Sequence, residues 1–260
     1  MKQHMFFFDI DGTLLECKDG VNKVSEQTKK ALKSLQYNGH KISLATGRPY
    51  AYLPDELLSL NFDSMILSNG ALIINDQQTI YRNPLDKQSV LKVIDYCLLH
   101  DIEYVLEGEK TYDCPFHYEE MNDFFRMFDI PKQARQQVQL DHVYKIAVIA
   151  KTKLSHDQFM KNFKDDFQII CHDHKSSDLF KKTQSKARGI KFLSHFLNID
   201  ICDTVCFGDG LNDVEMLDIV GLSVAMGNAK GEVKKHADFI TTSYQEEGIY
   251  EALKHFGFID

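Results

Sequence analysis

The stretch MFFFDIDGTLLE, residues 5–16, decides the fold. Four apolar residues run directly into Asp9, Asp11 and Gly12. A short apolar run that ends at turn formers is typical of a strand buried on both faces of a parallel sheet. The two acids would then stand at the carboxyl end of that strand, where open α/β sheets bind their ligands. The alternative is a buried strand that merely ends in a polar turn, which leaves the two acids as chance turn formers.

Composition and charge exclude several classes of protein. The chain has 260 residues, enough for a core and an insertion, and no apolar run approaches the ~20 residues of a membrane helix. The apolar run at the start meets acids at once, unlike a secretory signal. A net charge of −8 without a basic patch argues against nucleic acid, and six scattered cysteines without a CxxC pair favour free thiols. We therefore expect a cytoplasmic protein that binds neither nucleic acid nor membranes. We also predict a monomer or weak dimer.

Strand and helix patterns alternate in the first and last thirds of the chain, which is typical of a parallel sheet with crossover helices. This part predicts strands at 5–8, 41–45, 64–67, 204–207, 222–225 and 239–240, and helices at 25–38, 187–197 and 212–219. The middle of the chain has another order of elements, with helices over 90–98 and 154–163 and strands at 102–106, 144–150 and 167–171. We therefore predict an α/β core formed by 1–82 and 183–260, with an inserted α+β domain at 83–182.

Polar residues follow four of the predicted core strands. The groups are Asp9 with Asp11, then Thr46-Gly47-Arg48, then Ser68-Asn69-Gly70, and finally the stretch from Gly208 to Asp213. Carboxylates on neighbouring strands repel one another unless a cation lies between them, and oxygen ligands without histidine or thiol suit Mg²⁺. A threonine hydroxyl, a glycine N–H and a lysine such as Lys186 suit a phosphate group. No GxxxxGK[ST] or GxGxxG occurs, so nucleoside triphosphates and dinucleotides have no motif support.

Taken in order, the motifs resemble a known family. The set DIDGT (9–13), ATGR (45–48), SKARG (185–189) and GDGLND (208–213) resembles the haloacid dehalogenase superfamily of phosphatases. SNGA (68–71) and the closing stretch 225–249 resemble its Cof-type branch, which carries an inserted cap domain of the C2B type. The resemblance implies a Rossmann-like core with a parallel sheet and an α+β cap. It also implies Mg²⁺ as cofactor and a small phosphorylated metabolite as partner.

The resemblance implies roles for individual residues. Asp9 is the expected nucleophile, and Asp11 the expected proton donor and acceptor. The expected Mg²⁺ ligands are Asp9, Asp11 (through its backbone carbonyl), Asp209 and Asp213. The expected phosphate-binding residues are Thr46, Gly47, Lys186 and Asn212. Arg48 and Asn69 are candidate substrate contacts, with a surface ion pair and a turn as their respective alternatives.

The expected reaction is Mg²⁺-dependent hydrolysis of small phosphomonoesters through an aspartyl-phosphate. Sugar phosphates are the first expected substrates, followed by phosphorylated cofactors such as pyridoxal phosphate or flavin mononucleotide. The alternatives are a phosphomutase on the same fold and a phospho-ligand sensor without turnover. In the inserted domain we interpret several polar and aromatic residues as structural, and we expect Tyr144 and Lys145, as strand neighbours, to face opposite sides. These residues are Glu107, Tyr112, His117, Phe124, Phe125, Phe128, Tyr144 and Lys145.

Overall fold

The structure is a computed structural model. It describes residues 2–114, 125–126, 130 and 135–260. The chain divides into two compact units. Unit 1 comprises Met1–Gly47, Asp55–Tyr81 and Ser185–Asp260, and unit 2 comprises Arg48–Pro54 and Arg82–Gln184. The residues His117, Phe124 and Phe128 of the sequence analysis lie outside the described residues.

The regular elements are numbered along the chain. The strands are β1 (Met5–Phe8), β2 (Lys41–Ala45), β3 (Ser64–Leu67), β4 (Leu72–Asn75), β5 (Gln78–Arg82), β6 (Glu103–Glu107), β7 (Tyr112–Asp113), β8 (Lys145–Ile149), β9 (Gln168–Cys171), β10 (Ser176–Phe180), β11 (Thr204–Gly208), β12 (Leu222–Ala225) and β13 (Phe239–Ile240). The helices are α1 (Glu26–Tyr37), α2 (Asp55–Ser59), α3 (Lys87–His100), α4 (Lys153–Phe163), α5 (Lys186–Phe196), α6 (Val214–Leu217), α7 (Gly231–Lys234) and α8 (Gly248–His255). Within the described part of the chain, no helix combines the length and apolar character that a membrane crossing needs.

The sheet that organises unit 1 has the order β13-β12-β11-β1-β2-β3-β4-β5. Strands β13 to β3 run parallel to their neighbours, whereas β4 pairs antiparallel with β3. The four residues of β1 are completely buried, as expected for a central strand covered on both faces. The predicted α/β fold with a parallel sheet is therefore confirmed.

Helix α1 begins and ends as its sequence predicts. The Ser25 side chain caps the helix by accepting a hydrogen bond from the Thr28 N–H at 3.0 Å. The apolar stripe of Ala31, Leu32 and Leu35 is buried. Gly39 follows the helix with a φ of +82°, a backbone conformation that glycine adopts without strain. The caps and the stripe thus define the crossover between β1 and β2.

Helix α5 packs closely against the sheet of unit 1. Its N-cap Ser185 accepts a hydrogen bond from the Arg188 N–H at 3.3 Å. A Cβ atom at Gly189 would lie 2.5 Å from Cγ2 of Ile66 on β3, so the close approach of helix and strand requires glycine there. This packing carries Lys186, the first helical residue, into the interior with no exposed surface.

Unit 2 contains a five-stranded sheet with the order β7-β6-β8-β10-β9. The pairs β6–β7, β6–β8, β8–β10 and β9–β10 are all antiparallel. Apolar side chains of α3 and α4 join those of the strands in one buried cluster, which includes Val93, Cys97, Phe159 and Phe163. The second, antiparallel sheet confirms the predicted α+β architecture of this part of the chain.

Four strands were not predicted from the sequence, namely β4, β5, β7 and β10. Strands β4 and β5 flank a turn in which Asp76 and Gln77 both have positive φ, at 46° and 63°. Such two-residue turns are usually signalled by Asn-Gly or Asp-Gly, and that signal is missing here.

The helix predicted at 212–219 also differs from the structure, because a 3₁₀ turn at Leu211–Asp213 precedes the short helix α6.

Candidate active site

The four polar groups predicted at strand ends lie at one edge of the unit 1 sheet. Strands β11, β1, β2 and β3 are direct neighbours and run parallel, so their carboxyl ends share that edge. Pairing continues past the strands, because the Asp9 N–H donates to the Phe207 carbonyl at 3.0 Å. Likewise, the Thr46 N–H donates to the Ile66 carbonyl at 2.9 Å. Backbone hydrogen bonds therefore fix the start of two of these polar groups, at Asp9 and at Thr46.

Three carboxylates from two of these strand ends come together. Asp9, Asp209 and Asp213 each offer an oxygen, and these oxygens all lie within 4.8 Å of one another. Asp9 is 4% exposed and Asp213 is completely buried. A set of carboxylate oxygens without imidazole or thiol is the donor set that Mg²⁺ prefers. The residues present thus fit a magnesium ion.

Lys186 lies between two of the three carboxylates. Its Nζ atom is 2.6 Å from Oδ1 of Asp9 and 2.6 Å from Oδ1 of Asp213. Burial by itself would lower the pKa of Lys186, but the negative charges of Asp213 and Asp9 outweigh it, and the pKa is raised. The ammonium therefore remains charged and balances part of the negative charge of the cluster.

The remaining charge shows in the pKa values of the acids. Burial, together with the charge of Asp213, raises the pKa of Asp209 to about 7. Burial and the charge of Asp213 also raise the pKa of Asp9 well above its usual value, against the opposing effect of Lys186. One lysine thus does not neutralise three acids, and a divalent cation beside them would favour their ionised forms.

The turn that carries Asp213 is built around its own carboxylate. Oδ2 of Asp213 accepts hydrogen bonds from the Asp209 N–H at 2.9 Å and from the Gly210 N–H at 2.8 Å. A Cβ atom at Gly208 would lie 2.7 Å from Cγ of Asp213, so glycine is needed where the carboxylate turns back on the strand. The Asp213 carboxylate therefore accepts hydrogen bonds from two backbone N–H groups and from Lys186, and these three bonds hold it in a single orientation.

The turn after β1 separates the two acids of the opening motif. The side chain of Asp11 is half-buried and is not one of the three grouped carboxylates. Gly12 has a φ of +81°, and a Cβ atom there would lie 2.1 Å from Oδ2 of Asp209. The hydroxyl of Thr13 donates to Oδ1 of Asp209 at 3.0 Å. Glycine and threonine of DIDGT thus both contact the acid at the end of β11.

Four of the residues predicted to bind the substrate lie together beside this cluster. The Asn69 N–H donates to the Thr46 carbonyl at 3.0 Å, and the Asn212 side-chain amide donates to Oδ1 of Asn69 at 3.4 Å. A Cβ atom at Gly47 would lie 3.3 Å from the same Asn69 oxygen. Asn69 itself has a φ of 52°, in the left-handed region where asparagine is one of the better tolerated residues. The amide of Asn69 thus links the strand ends of β2, β3 and β11.

Arg48 differs from the other candidates in its place in the fold. It belongs with Arg48–Pro54 to unit 2, although it follows Gly47 directly in the chain. Its guanidinium donates to the Tyr52 carbonyl at 3.2 Å. The structure therefore groups Arg48 with unit 2 and the other predicted site residues with unit 1.

Unit 2 contains a second buried charge cluster. Nζ of Lys145 lies 2.9 Å from Oε2 of Glu107 and 3.1 Å from Oδ2 of Asp178. Burial raises the pKa of Glu107 to about 7 despite the nearby lysine. The pKa of Asp178 is lowered to about 2, because Lys145 and His172 outweigh its burial. Glu107 and Lys145, which the sequence analysis treated one by one, therefore form one network on neighbouring strands.

The parallel sheet of unit 1, the polar residues at its strand ends and the buried Lys186 together define a class of protein. This class is the phosphoryl-transfer hydrolases with an aspartate at the end of the first strand. The chain belongs to the haloacid dehalogenase-like hydrolase family, whose profile matches residues 6–253. It is a phosphatase of that superfamily, similar to the Cof-type branch, as the sequence motifs predicted.

Relatives of this chain match it over nearly its full length. YkrA of Bacillus subtilis (strain 168), a phosphatase by its provisional name, is 30% identical over 100% of both chains. The 5-amino-6-(5-phospho-D-ribitylamino)uracil phosphatase YitU of the same organism is 27% identical over 98% of both chains. Among solved structures, the subclass IIB sugar phosphatase BT4131 is similar with a TM-score of 0.84 and 27% identity, covering 98% of this chain and 100% of that one.

Sequence reasoning missed two contacts of the site. It gave no role to Thr13, although Thr13 stands in the quoted motif and donates to Asp209. It also gave no role to Asn228, whose side-chain amide donates to the Gly12 carbonyl at 2.8 Å. Both contacts join residues roughly two hundred positions apart, so no local pattern signals them. The position of Asn228 in the loop that follows β12, at the same edge of the sheet, was the one available clue.

Proposed function

We propose that this phosphatase hydrolyses small phosphomonoesters with Mg²⁺ and forms an aspartyl-phosphate on Asp9. The observation that carries the proposal is the contact of one buried lysine with Asp9 and Asp213, inside a group of three carboxylates. Such a group, beside the threonine, glycine and asparagine of the neighbouring strand ends, suits a phosphoryl group and a hard cation together.

Side chains of Asp9 and Asp209 would hold the metal, with the backbone carbonyl of Asp11 as a further ligand. Asp213 would act as a ligand or orient the site through the hydrogen bonds that it accepts. When bound, Mg²⁺ would supply the positive charge that lets an anionic phosphate approach a cluster of acids. Asn212, Thr46, Gly47 and Lys186 would contact the phosphoryl oxygens, where charge spreads as the transition state forms.

The reaction would take two displacements at phosphorus. In the first, a carboxylate oxygen of Asp9 forms a bond to phosphorus while the ester P–O bond breaks, and the leaving oxygen takes the proton of Asp11. In the second, water attacks the phosphoryl group, gives a proton to Asp11 and releases inorganic phosphate together with free Asp9. Splitting one displacement into two in this way is the advantage of nucleophilic catalysis.

Sugar phosphates are the first substrate class that we propose. Two relatives support this order, because one is named a sugar phosphatase and another acts, by its name, on a phosphoribityl compound. Phosphorylated cofactors such as pyridoxal phosphate and flavin mononucleotide come next. A screen of phosphorylated metabolites ranked by kcat/KM tests this order, and a preference for non-sugar esters would contradict it. A cytoplasmic location and a monomeric or weakly dimeric state stay predictions from the sequence.

Replacement of the nucleophile tests the mechanism. We expect phosphate release from p-nitrophenyl phosphate to require Mg²⁺ and to fall by at least about a thousandfold in Asp9→Asn, because the amide cannot form the acyl phosphate. Asp165→Asn is the matched control, since Asp165 is exposed and lies in unit 2. Acid-quenched wild-type protein should yield a phosphopeptide that carries Asp9, detected by mass spectrometry.

Three outcomes would contradict the proposal. Equal rates for Asp9→Asn and the wild type would show that Asp9 is not the nucleophile. Turnover that depends on an added sugar bisphosphate, with transfer to sugar instead of water, would indicate the phosphomutase alternative. Binding of sugar phosphates without any phosphate release would indicate the sensor.

A further inference from the structure

The hydroxyl of Thr13 contacts the third carboxylate of the cluster. We propose that Thr13 is a positioning residue that holds Asp209 in the orientation needed to bind the divalent cation. This inference rests on the metal dependence in the proposed function. Beyond the proposed function, Thr13 gains a task although it has no expected role in substrate binding or in the reaction.

Asp209 depends on this contact more than the other two acids do. Lys186 contacts Asp9 and Asp213, and two backbone N–H groups donate to Asp213. For Asp209, the structure gives a side-chain donor in Thr13 instead, whose Oγ1 lies 3.0 Å from Oδ1. Thr13 is 1% exposed, so water does not easily replace its hydroxyl. The orientation of the Asp209 carboxylate is therefore set from the turn after β1.

The same turn also restricts rotation of the Asp209 carboxylate, because it packs against the other oxygen, Oδ2. The Gly12 Cα atom packs so closely that a Cβ atom would lie 2.1 Å from Oδ2. One oxygen of Asp209 thus accepts the Thr13 hydroxyl while the other lies against the Gly12 backbone. Rotation of the carboxylate would break the hydrogen bond or bring an oxygen into the backbone.

The turn is itself held in place from another strand end. The side-chain amide of Asn228 donates to the Gly12 carbonyl at 2.8 Å, and its oxygen accepts from the Tyr244 N–H at 3.3 Å. Within the turn, the Thr13 N–H donates to the Ile10 carbonyl at 3.2 Å. Asn228 thus supports the peptide that faces Asp209, so its loss should act on the metal site in the same direction as the loss of the Thr13 hydroxyl, and more weakly.

The experiment is calorimetric titration of Mg²⁺ into the full-length protein without substrate. Partners that orient metal ligands typically account for 10- to 100-fold in affinity, so we expect Thr13→Val to weaken Mg²⁺ binding by about tenfold. Thr13→Ser keeps the hydroxyl and should bind Mg²⁺ within about twofold of the wild type. At saturating Mg²⁺ the kcat of Thr13→Val should recover most of its loss, because the hydroxyl would act through Asp209, to which it donates.

Thr28→Val is the matched control. Thr28 is also a buried threonine of unit 1, and its hydroxyl donates to Oε2 of Glu247, a carboxylate 219 positions away, at 3.3 Å. This variant should lose thermal stability and keep the wild-type affinity for Mg²⁺. A loss of Mg²⁺ affinity in Thr28→Val as large as in Thr13→Val would overturn the inference, since general destabilisation would then explain both.

A second pair of variants decides the question if Thr13→Val does not fold. The Asn228 side chain is exposed, so Asn228→Ala leaves no buried group of its own unpaired, and we expect about threefold weaker Mg²⁺ binding. Its control is Asn38→Ala, which removes a similar bond from an asparagine amide to the Phe258 carbonyl at 3.0 Å. An unchanged affinity in a folded Thr13→Val, or in Asn228→Ala, overturns the inference while leaving the proposed function intact. A wild type that binds no Mg²⁺ shows instead that the metal dependence of the proposed function is wrong, and the inference falls with it.

Discussion

Replacement of Lys186 by methionine is the most informative perturbation of this fold. Lys186 is completely buried, and its ammonium lies 2.6 Å from one oxygen of Asp9 and 2.6 Å from one oxygen of Asp213. Methionine has a similar length and no charge. The substitution therefore removes the positive charge and leaves two buried carboxylates facing each other.

The expected loss of stability follows from these two contacts. At an effective dielectric constant of about 20, a separation of 2.6 Å gives an attraction of about 6 kcal/mol for each pair. Desolvation of the ammonium offsets several kcal/mol of that sum, and removal of one partner from a buried ion pair typically costs about 3–5 kcal/mol. We expect the free energy of unfolding of Lys186→Met to fall by about that amount.

Urea denaturation at pH 7, followed by fluorescence of the tyrosines, measures the loss. Lys29→Met is the matched control, because Nζ of Lys29 also contacts two carboxylates, Glu26 at 2.9 Å and Glu56 at 2.8 Å, but at the surface. Its effect should be several-fold smaller, since water screens exposed ion pairs. A loss in Lys186→Met no larger than in Lys29→Met would refute the argument from burial.

The pH dependence gives the same test a second readout. Burial, with the charge of Asp213, already raises the pKa of Asp9 in the folded protein above its unfolded value. A group with a raised pKa binds its proton more tightly when folded, so its contribution to stability is present at low pH and is lost as pH rises through the folded pKa. Removal of Lys186 raises the pKa further. We therefore expect the deficit of Lys186→Met to be larger at pH 8 than at pH 5.

Two further predictions concern a glycine and a histidine. Gly12→Ala should lower phosphatase activity, measured as kcat/KM, by at least about a hundredfold, because the added Cβ would lie 2.1 Å from Oδ2 of Asp209. Gly20→Ala is the control and should keep its activity, because Gly20 has a similar φ of +75° but no atom within 4 Å of the added Cβ. Equal losses in the two variants would contradict the clash. Burial, aided by neighbouring positive groups, lowers the pKa of His40 below its usual value, so stability should fall as pH drops below about 6.5. The slope of stability between pH 5 and 7 should flatten in His40→Asn and not in His174→Asn, an exposed control, and an unchanged slope in the first variant would count against this assignment.

Much of the fold could be read from local sequence patterns. The strands at 5–8, 41–45, 64–67, 222–225 and 239–240 have the predicted bounds, and α5 begins one residue earlier than predicted. These elements have strong local signals, namely apolar runs bounded by turn residues, and serine caps. Their strand ends could also be read, because the order of a parallel sheet brings consecutive carboxyl ends to one edge.

Elements without such signals were not predicted. Strand β10 (Ser176–Phe180) begins with two serines and an aspartate, so its sequence resembles a loop, yet it pairs with both β8 and β9. The segment Arg48–Pro54 begins with the last residue of the ATGR motif. Its grouping with unit 2 depends on contacts of Tyr52 with residues far along the chain, such as Tyr112. Pairing partners outside the local window decided both cases.

The sequence by itself determined the parallel strands at the centre of the core, the acids that follow the strands at 5–8 and 204–207, and the kind of chemistry that such acids support. Tertiary structure alone decided that oxygens of Asp9, Asp209 and Asp213 lie within 4.8 Å of one another and that Lys186 is completely buried between two of these acids. It also decided that Thr13 donates to Asp209 across 196 positions. Helix and strand formation depend on neighbours a few residues away, which the sequence shows directly. Electrostatic interactions and side-chain hydrogen bonds depend on distance in space and on exclusion of water, and folding creates both.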